Sequence, residues 1–324
     1  MSDRFDNPLD LFIADPFVIE DNGTYYLYGT DDIDACKGVP VFSSTDMREW
    51  KYEGLAFEKT EDTWCQVNFW GPEVAKVGDE FLMYLNASPN STPAPPFNMH
   101  LCIAKSKSPL GPFIEYKVPF YSAKEGDDAI DQHIFMDDDG QAFLYITYVN
   151  AKKHQNEIRV VKLKDDLEEF DGEPIVSIIP TQDWESRSWE SHTVTEGAAV
   201  IKHKDYYYLT YTGNHFLDEY YAIGYAVSRN PMGPWKKHNN NPILKRTAKV
   251  RGTGNGCFVR SPDGTEVFMV YHTHCNPGQV YPRRTAVDLV RFEPTESGPD
   301  ILVVDGPTYK EGHSVQQEHA FKSF

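Results

Sequence analysis

Five segments of this 324-residue chain begin alike, and four of them begin with a carboxylate. DPFVIEDNGTYYLYGT starts at Asp15, EVAKVGDEFLMYLNAS at Glu73, DQHIFMDDDGQAFLYITY at Asp131, EGAAVIKHKDYYYLTYTG at Glu196 and GCFVRSPDGTEVFMVYHTH at Gly256. A fold that makes these heads converge gathers four acids in one cavity. Anions buried together are costly unless they are paired, protonated or bound to a cation, so the crowding needs a reason. Two carboxyl groups, one protonated and one ionised, are the minimum for acid–base cleavage of a glycosidic bond, and a third can raise the acid's pKa by repulsion. Asp15, Asp131 and Glu196 are the candidates for that chemistry. Glu73, inside WGPEV, reads instead as an anchor between neighbouring repeat units.

The elements that would carry these residues repeat with them. Each head opens a short apolar strand, a turn rich in Asp, Gly or Asn, and an aromatic strand, with heads separated by 58, 58, 65 and 60 residues. A further strand then ends in SSTDMREW from Ser43, SKSPLGPF from Ser106, LKDDLEEF from Leu163 or SRNPMGPW from Ser228. These ends align Met47, Leu110, Leu167 and Met232, then Trp50, Phe113, Phe170 and Trp235. Period-2 alternation and turns such as DNG and PDG predict three or four strands per unit, with helical periodicity essentially absent. Repeats of this size set around an axis describe a β-propeller; a linear β-solenoid uses shorter ones, about 20 to 30 residues. The expectation is all-β: a single five-bladed propeller domain over 1–324, blades starting near 15, 73, 131, 196 and 256. The stretch after Val304 reads as a closing strand and a loose end.

Composition narrows the partners. With 49 acidic and 31 basic residues the net charge is −18, and no basic patch is concentrated enough to follow a phosphate backbone, which argues against nucleic acid. A neutral substrate suits such a surface better than an acidic polymer. The 14% aromatic content fits half-buried strands and sugar-stacking surfaces alike. No apolar run is long enough for a membrane span. Cys36, Cys65, Cys102, Cys257 and Cys275 are odd in number, scattered, and not in metal-ligand spacing, so they read as free thiols of a reducing compartment. The start MSDRFDNPLD shows no basic-then-apolar leader, and the expected location is cytoplasmic.

The segments ADPFV at Ala14, AIDQHIFMDDDGQAFLY at Ala129 and VTEGAAVIKHKDYYYLTYTG at Val194 resemble the three acidic signatures of glycoside hydrolase family 43. FWGPEV from Phe69, VYHTH from Val270 and the GPF and GPW strand ends are similar to that family too, so the likeness spans nearly the whole chain. The resemblance implies an inverting enzyme in which Asp15 is the general base, Glu196 the general acid and Asp131 the group that tunes the acid. Inversion calls for a gap of about 6.5 to 9.5 Å between base and acid, room for a water. The resemblance further implies a sugar-facing wall at Phe69 and Trp70, and an arginine, Arg283 or Arg284, reaching a sugar hydroxyl or an acid. It also implies a calcium or sodium ion near His272, with no organic cofactor. One departure is Asn255, which stands where many relatives carry a histidine in the GTGxG stretch.

Substrates implied by the resemblance are neutral oligosaccharides or polysaccharides carrying α-L-arabinofuranose or β-D-xylose. Loops from Ser88, from Tyr121 to Asp128, and from Thr181 to Thr195 with Trp184 and Trp189, would form the mouth and favour removal of a terminal sugar. The alternatives are an endo-acting arabinanase or galactan-active enzyme, a propeller that binds carbohydrate without cleaving it, and a transferase that retains configuration.

Overall fold

The computed structural model describes residues 5–34, 36–93, 97–186 and 192–311, and its only helical element is a short 3-10 turn, Asp183–Ser186. Twenty strands form five four-stranded antiparallel sheets, each a meander in chain order. Blade 1 comprises β1 (Ala14–Asp21), β2 (Thr24–Thr30), β3 (Gly38–Ser44) and β4 (Lys51–Glu58). Blade 2 comprises β5 (Val67–Val77), β6 (Glu80–Ser88), β7 (His100–Ser106) and β8 (Ile114–Ser122), and blade 3 comprises β9 (Asp128–Met136), β10 (Ala142–Asn150), β11 (Gln155–Lys162) and β12 (Ile175–Ile178). Blade 4 holds β13 (Thr195–His203), β14 (Tyr206–Gly213), β15 (Ala222–Ser228) and β16 (Lys236–Lys237). Blade 5 holds β17 (Gly254–Arg260), β18 (Val267–Thr273), β19 (Arg284–Glu293) and β20 (Ile301–Val304). The first strands touch one another in a closed ring, β1 to β5 to β9 to β13 to β17 and back to β1. The chain is a five-bladed β-propeller.

Apolar burial holds the ring together, with one core cluster at each of the five blade interfaces. The second half of the sequence repeat has its explanation here. Trp50, Phe113, Phe170 and Trp235 each plug the interface between their own blade and the preceding one. Met47 and Leu167 are buried beside them, whereas Leu110 is exposed, so the four matched aliphatic positions are not equivalent in three dimensions.

Closure differs from the expectation of a strand beyond Val304. Every blade is built from contiguous chain, and the seam between blades 5 and 1 is sealed by the segment before β1. Leu9 N–H donates to Thr285 O at 2.9 Å and Thr285 N–H to Leu11 O at 2.9 Å. The Asn7 side chain bonds both backbone groups of Val287, while Phe5, Leu9, Leu11 and Ile13 fill the seam's apolar cluster.

Candidate active site

All five first strands break register at the same place. Two residues oppose one on the neighbouring strand at Asp15–Pro16, Gly71–Pro72, Asp131–Gln132, Gly197–Ala198 and Asn255–Gly256. The first residue of each bulge is left-handed, with φ of 47°, 46°, 47°, 61° and 42°. Only glycine, asparagine and aspartate visit that region readily, which is why Asp, Gly, Asp, Gly and Asn occupy the five positions. This corrects the repeat alignment drawn from the acids. Asp15 and Asp131 are true equivalents, but Glu196 stands one residue before the left-handed residue of its bulge and Glu73 two residues after that of its own.

A ring of side chains on the second strands pins these bulges across the blade interfaces. The amide of Gly71 donates to Thr30 Oγ1 (3.0 Å), that of Asp131 to Asn86 Oδ1 (2.8 Å), that of Asn255 to Thr212 Oγ1 (3.0 Å) and that of Asp15 to His272 Nδ1 (3.1 Å). The fifth equivalent, Thr147, is fully buried, and its hydroxyl has no partner among the described residues. The pin is therefore missing at the blade that carries Glu196. A second set of links lies two residues beyond the bulges. Ile134 N–H donates to Glu73 Oε2, Val200 N–H to His133 Nε2, and Val18 N–H to Cys257 Sγ. Because His133 accepts at Nε2, its Nδ1 carries the proton, which it donates to Glu73 Oε1 at 3.0 Å. Glu73 is thus an inter-blade anchor, as WGPEV suggested.

Asp15 lies in a nest of donors. Arg283 Nη1 donates to its Oδ1 at 3.2 Å and Asn255 Nδ2 at 3.0 Å, with His272 Nδ1 3.2 Å from the same oxygen. Burial by itself would push this carboxyl up, but Arg283, aided by Thr30, outweighs it and holds Asp15 well below the usual range. Arg283 is in turn fixed by Asp32, which takes its Nε at 3.0 Å, Nη2 at 2.9 Å and backbone N–H at 2.8 Å. Its guanidinium also sits 4.8 Å from the centre of the Phe216 ring.

Glu196 and Asp131 have the opposite surroundings. Burial, aided by repulsion from Asp15, pushes Glu196 up to about 7 even though Tyr221 and Arg283 oppose the shift. Tyr221 Oη donates to Glu196 Oε1 at 2.8 Å, and Asn156 Nδ2 lies 3.4 Å from Oε2. Burial and the charges of Glu196 and Asp15 raise Asp131 well above its ordinary value. Its backbone is held by Asn86, which also donates to Gln132 Oε1, and Gln132 in turn donates to Gly71 O. The cavity thus holds one firmly ionised carboxylate and two that favour protonation, a pairing suited to acid–base chemistry.

Other predicted residues fall on both sides of the cavity wall. Trp70 is half-buried beside Gly71, its ring edge-on to Phe97 at 5.4 Å. Phe69 is not at the site: it is fully buried between blades 1 and 2, 5.5 Å from Phe57, because adjacent strand residues face opposite ways. Of the two arginines, Arg283 meets Asp15, whereas Arg284 is buried at the seam, donating to Pro8 O and Leu9 O. Trp184 lines no mouth; it packs in the core of blades 3 and 4, 5.9 Å from the Tyr211 ring. Trp189 and residues 94–96 of the loop from Ser88 lie outside the described residues. Tyr221, Asn156 and Asp32 carry no signal in the sequence, since their importance comes only from what they touch.

The family model described as "Glycosyl hydrolases family 43" matches residues 5–297. The chain belongs to glycoside hydrolase family 43. Among solved structures it is similar to a thermostable family-43 glycoside hydrolase, with a TM-score of 0.83, 34% identity, and coverage of 94% of this chain and 97% of that one. It is 26% identical to the β-D-galactofuranosidase XynD of Aspergillus niger, over 90% of this chain and 82% of that protein. It is 24% identical to a xylosidase/arabinosidase of Bacteroides ovatus, over 69% and 76%. Membership implies a carbohydrate substrate for the cavity.

The family resemblance also raised an ion near His272. Its Nδ1 is taken by the Asp15 amide, so the proton of the neutral ring sits on Nε2, which is buried and has no partner among the described residues. Burial and Arg283 lower its pKa, which keeps it neutral and able to accept. Calcium takes about six to eight oxygen ligands. The described residues contain no group of three or more His, Cys, Asp or Glu side chains able to hold a metal. The protein groups at His272 therefore do not make an ion site by themselves, and the observed task of His272 is to pin the bulge of Asp15.

Proposed function

We propose that this family 43 enzyme hydrolyses neutral pentosides, α-L-arabinofuranosides or β-D-xylosides, with inversion and by release of a terminal sugar. Asp15 is the general base that activates water, Glu196 the general acid that protonates the leaving oxygen, and Asp131 the group that tunes and orients the acid. The observation that carries this reading is the divergence of two carboxyls in one cavity, Asp15 held ionised beside Arg283 and Glu196 pushed up to about 7. Aromatic surfaces lie near them: Trp70, beside Gly71, meets Phe97, and Phe216, 6.1 Å from Tyr281, lies under the Arg283 guanidinium. Such walls suit the apolar face of a sugar ring. The names of the relatives, a galactofuranosidase and a xylosidase/arabinosidase, support a furanoside or xyloside substrate.

The test is hydrolysis of 4-nitrophenyl α-L-arabinofuranoside and β-D-xyloside, with the anomer first released followed by proton NMR. Release of the inverted anomer is expected. Retention would replace the single displacement with a double one, and no release from either glycoside, with cleavage of intact arabinan, would move the activity to endo-action.

A further inference from the structure

We infer that Tyr221 is a positioning residue for the acid: it occupies one oxygen of Glu196, confines the transferable proton to the other, and spaces Glu196 from Asp15. This rests on Glu196 being the general acid. Glu196 needs such a partner because its blade lacks the pin that fixes the other four bulges, Thr147 having no partner where Thr30, Asn86, Thr212 and His272 each hold one. Tyr221 supplies a substitute from the side. Its hydroxyl is 2.8 Å from Glu196 Oε1, and the residue is 1% exposed.

The tyrosine is itself firmly placed. Its backbone N–H donates to Asp218 O at 3.1 Å, and its ring lies nearly parallel to that of His272, at 12° and 5.6 Å between centres. Any Cβ on Gly254 would overlap the Tyr221 ring, so the glycine in GTGNG makes room for it. His272 meanwhile accepts the amide of Asp15. Two stacked rings therefore link the two acids, Tyr221 bonded to the Glu196 carboxyl and His272 to the backbone amide of Asp15, and a change in either ring alters the gap in which water and sugar must fit.

The phenol donates and does not ionise, since burial and the surrounding carboxylates of Glu196, Asp15 and Asp131 push it well above its ordinary value. With Oε1 accepting, the acid's proton resides on Oε2, the oxygen facing Asn156. As the proton passes to the leaving oxygen, Glu196 becomes anionic and the Tyr221 bond strengthens, which favours transfer. Without the hydroxyl, Glu196 is a weaker and less well-oriented acid.

The test is Tyr221→Phe, which keeps the stacked ring, studied alongside Glu196→Gln and the double variant. Glycosides with poor and activated leaving groups are compared across pH. The alkaline limb of kcat/KM should move up by about one pH unit as Glu196 loses its donor. Turnover should fall about 10- to 100-fold on poor leaving groups and little on activated ones. In the Glu196→Gln background the Tyr221→Phe change should add no further leaving-group dependence. An unmoved alkaline limb with equal losses on all substrates would overturn the role of Tyr221. If Glu196→Gln itself showed no leaving-group dependence, the acid assignment would fall instead, so the two failures are distinguishable.

Discussion

Asp15 and Glu196 stand on first strands of the same plan, at neighbouring positions of the same bulge, yet their surroundings push them apart. The blade 1 carboxylate is met by Arg283, Asn255 and the histidine that pins its backbone. Among the described residues the blade 4 carboxyl is bonded only to the neutral donors Tyr221 and Asn156, and it lies where the pin is missing. One has a full cation within reach; the other has burial with no cation bonded to it. A symmetric scaffold thus yields asymmetric chemistry through a few residues placed outside the repeat: Asp32, Arg283 and Tyr221 all lie beyond the paired first strands.

The largest effect expected from breaking this contrast is on turnover. Asn tolerates the φ of 47° at position 15, so Asp15→Asn should fold normally and still accept from Arg283 through its amide oxygen. It cannot take a proton from water, and kcat should drop by about 10³-fold. An Asp15→Asn enzyme within tenfold of wild type would remove Asp15 as base and end the asymmetry argument.

Next comes the cation. Arg283→Met strips Asp15 and the buried Asp32 of their shared partner, and breaking a buried pair of this kind costs about 3 to 5 kcal/mol. The acidic limb of kcat/KM should also climb toward neutrality, because burial of Asp15 is then opposed only by weaker contacts. Arg283→Lys keeps the charge but cannot span both carboxylates, and its loss in chemical denaturation should be smaller. Equal losses for Met and Lys would show that the charge itself contributes little.

Glu196 gives the converse dependence. Its native pKa of about 7 exceeds the ordinary 4.5, so the folded state keeps a proton that the unfolded chain releases between those values. Its contribution is complete below pH 4.5 and is lost as pH rises through 7, a difference of about 3 kcal/mol. Glu196→Gln is always neutral and still accepts from Tyr221. It should match wild type near pH 4 and exceed it by about 3 kcal/mol at pH 8.5, measured by urea denaturation. A constant gap across pH would mean that Glu196 titrates normally.

The propeller was legible because its repeats are written twice, once in the hairpins and once in the aromatic strand ends that plug each interface. The register inside the repeat is set by the left-handed residues and not by the acids, which occupy different positions in different blades. Aligned on Asp15, Gly71, Asp131, Gly197 and Asn255, the segments show the bulge, and Glu73 falls out of register with the other acids on its own. Phe69 could have been set aside by strand alternation once Trp70 was chosen. Arg283 could not be told from Arg284, since β19 begins at Arg284 and alternation is undefined outside a strand. Tyr221 comes from a loop before β15, and no local pattern announces a hydroxyl that matters only across the channel.

The smallest effect probes the pins themselves. Thr212 and Thr147 occupy equivalent positions on second strands and are both buried, but only Thr212 accepts an amide, that of Asn255. Thr212→Val preserves shape while leaving a buried N–H without a partner, at a cost of about 1 to 2 kcal/mol. Thr147→Val removes a hydroxyl that has nothing to lose, and should be neutral or stabilising by up to about 1 kcal/mol. Thermal denaturation of the two variants separates these cases. Matching losses would mean that Thr147 does hold the Glu196 blade, through water or a shifted Gly197 amide, and that the two halves of the site are pinned alike. Opposite signs would leave Glu196 dependent on Tyr221 for its place, and would tie the difference between the two acids to one absent hydrogen bond.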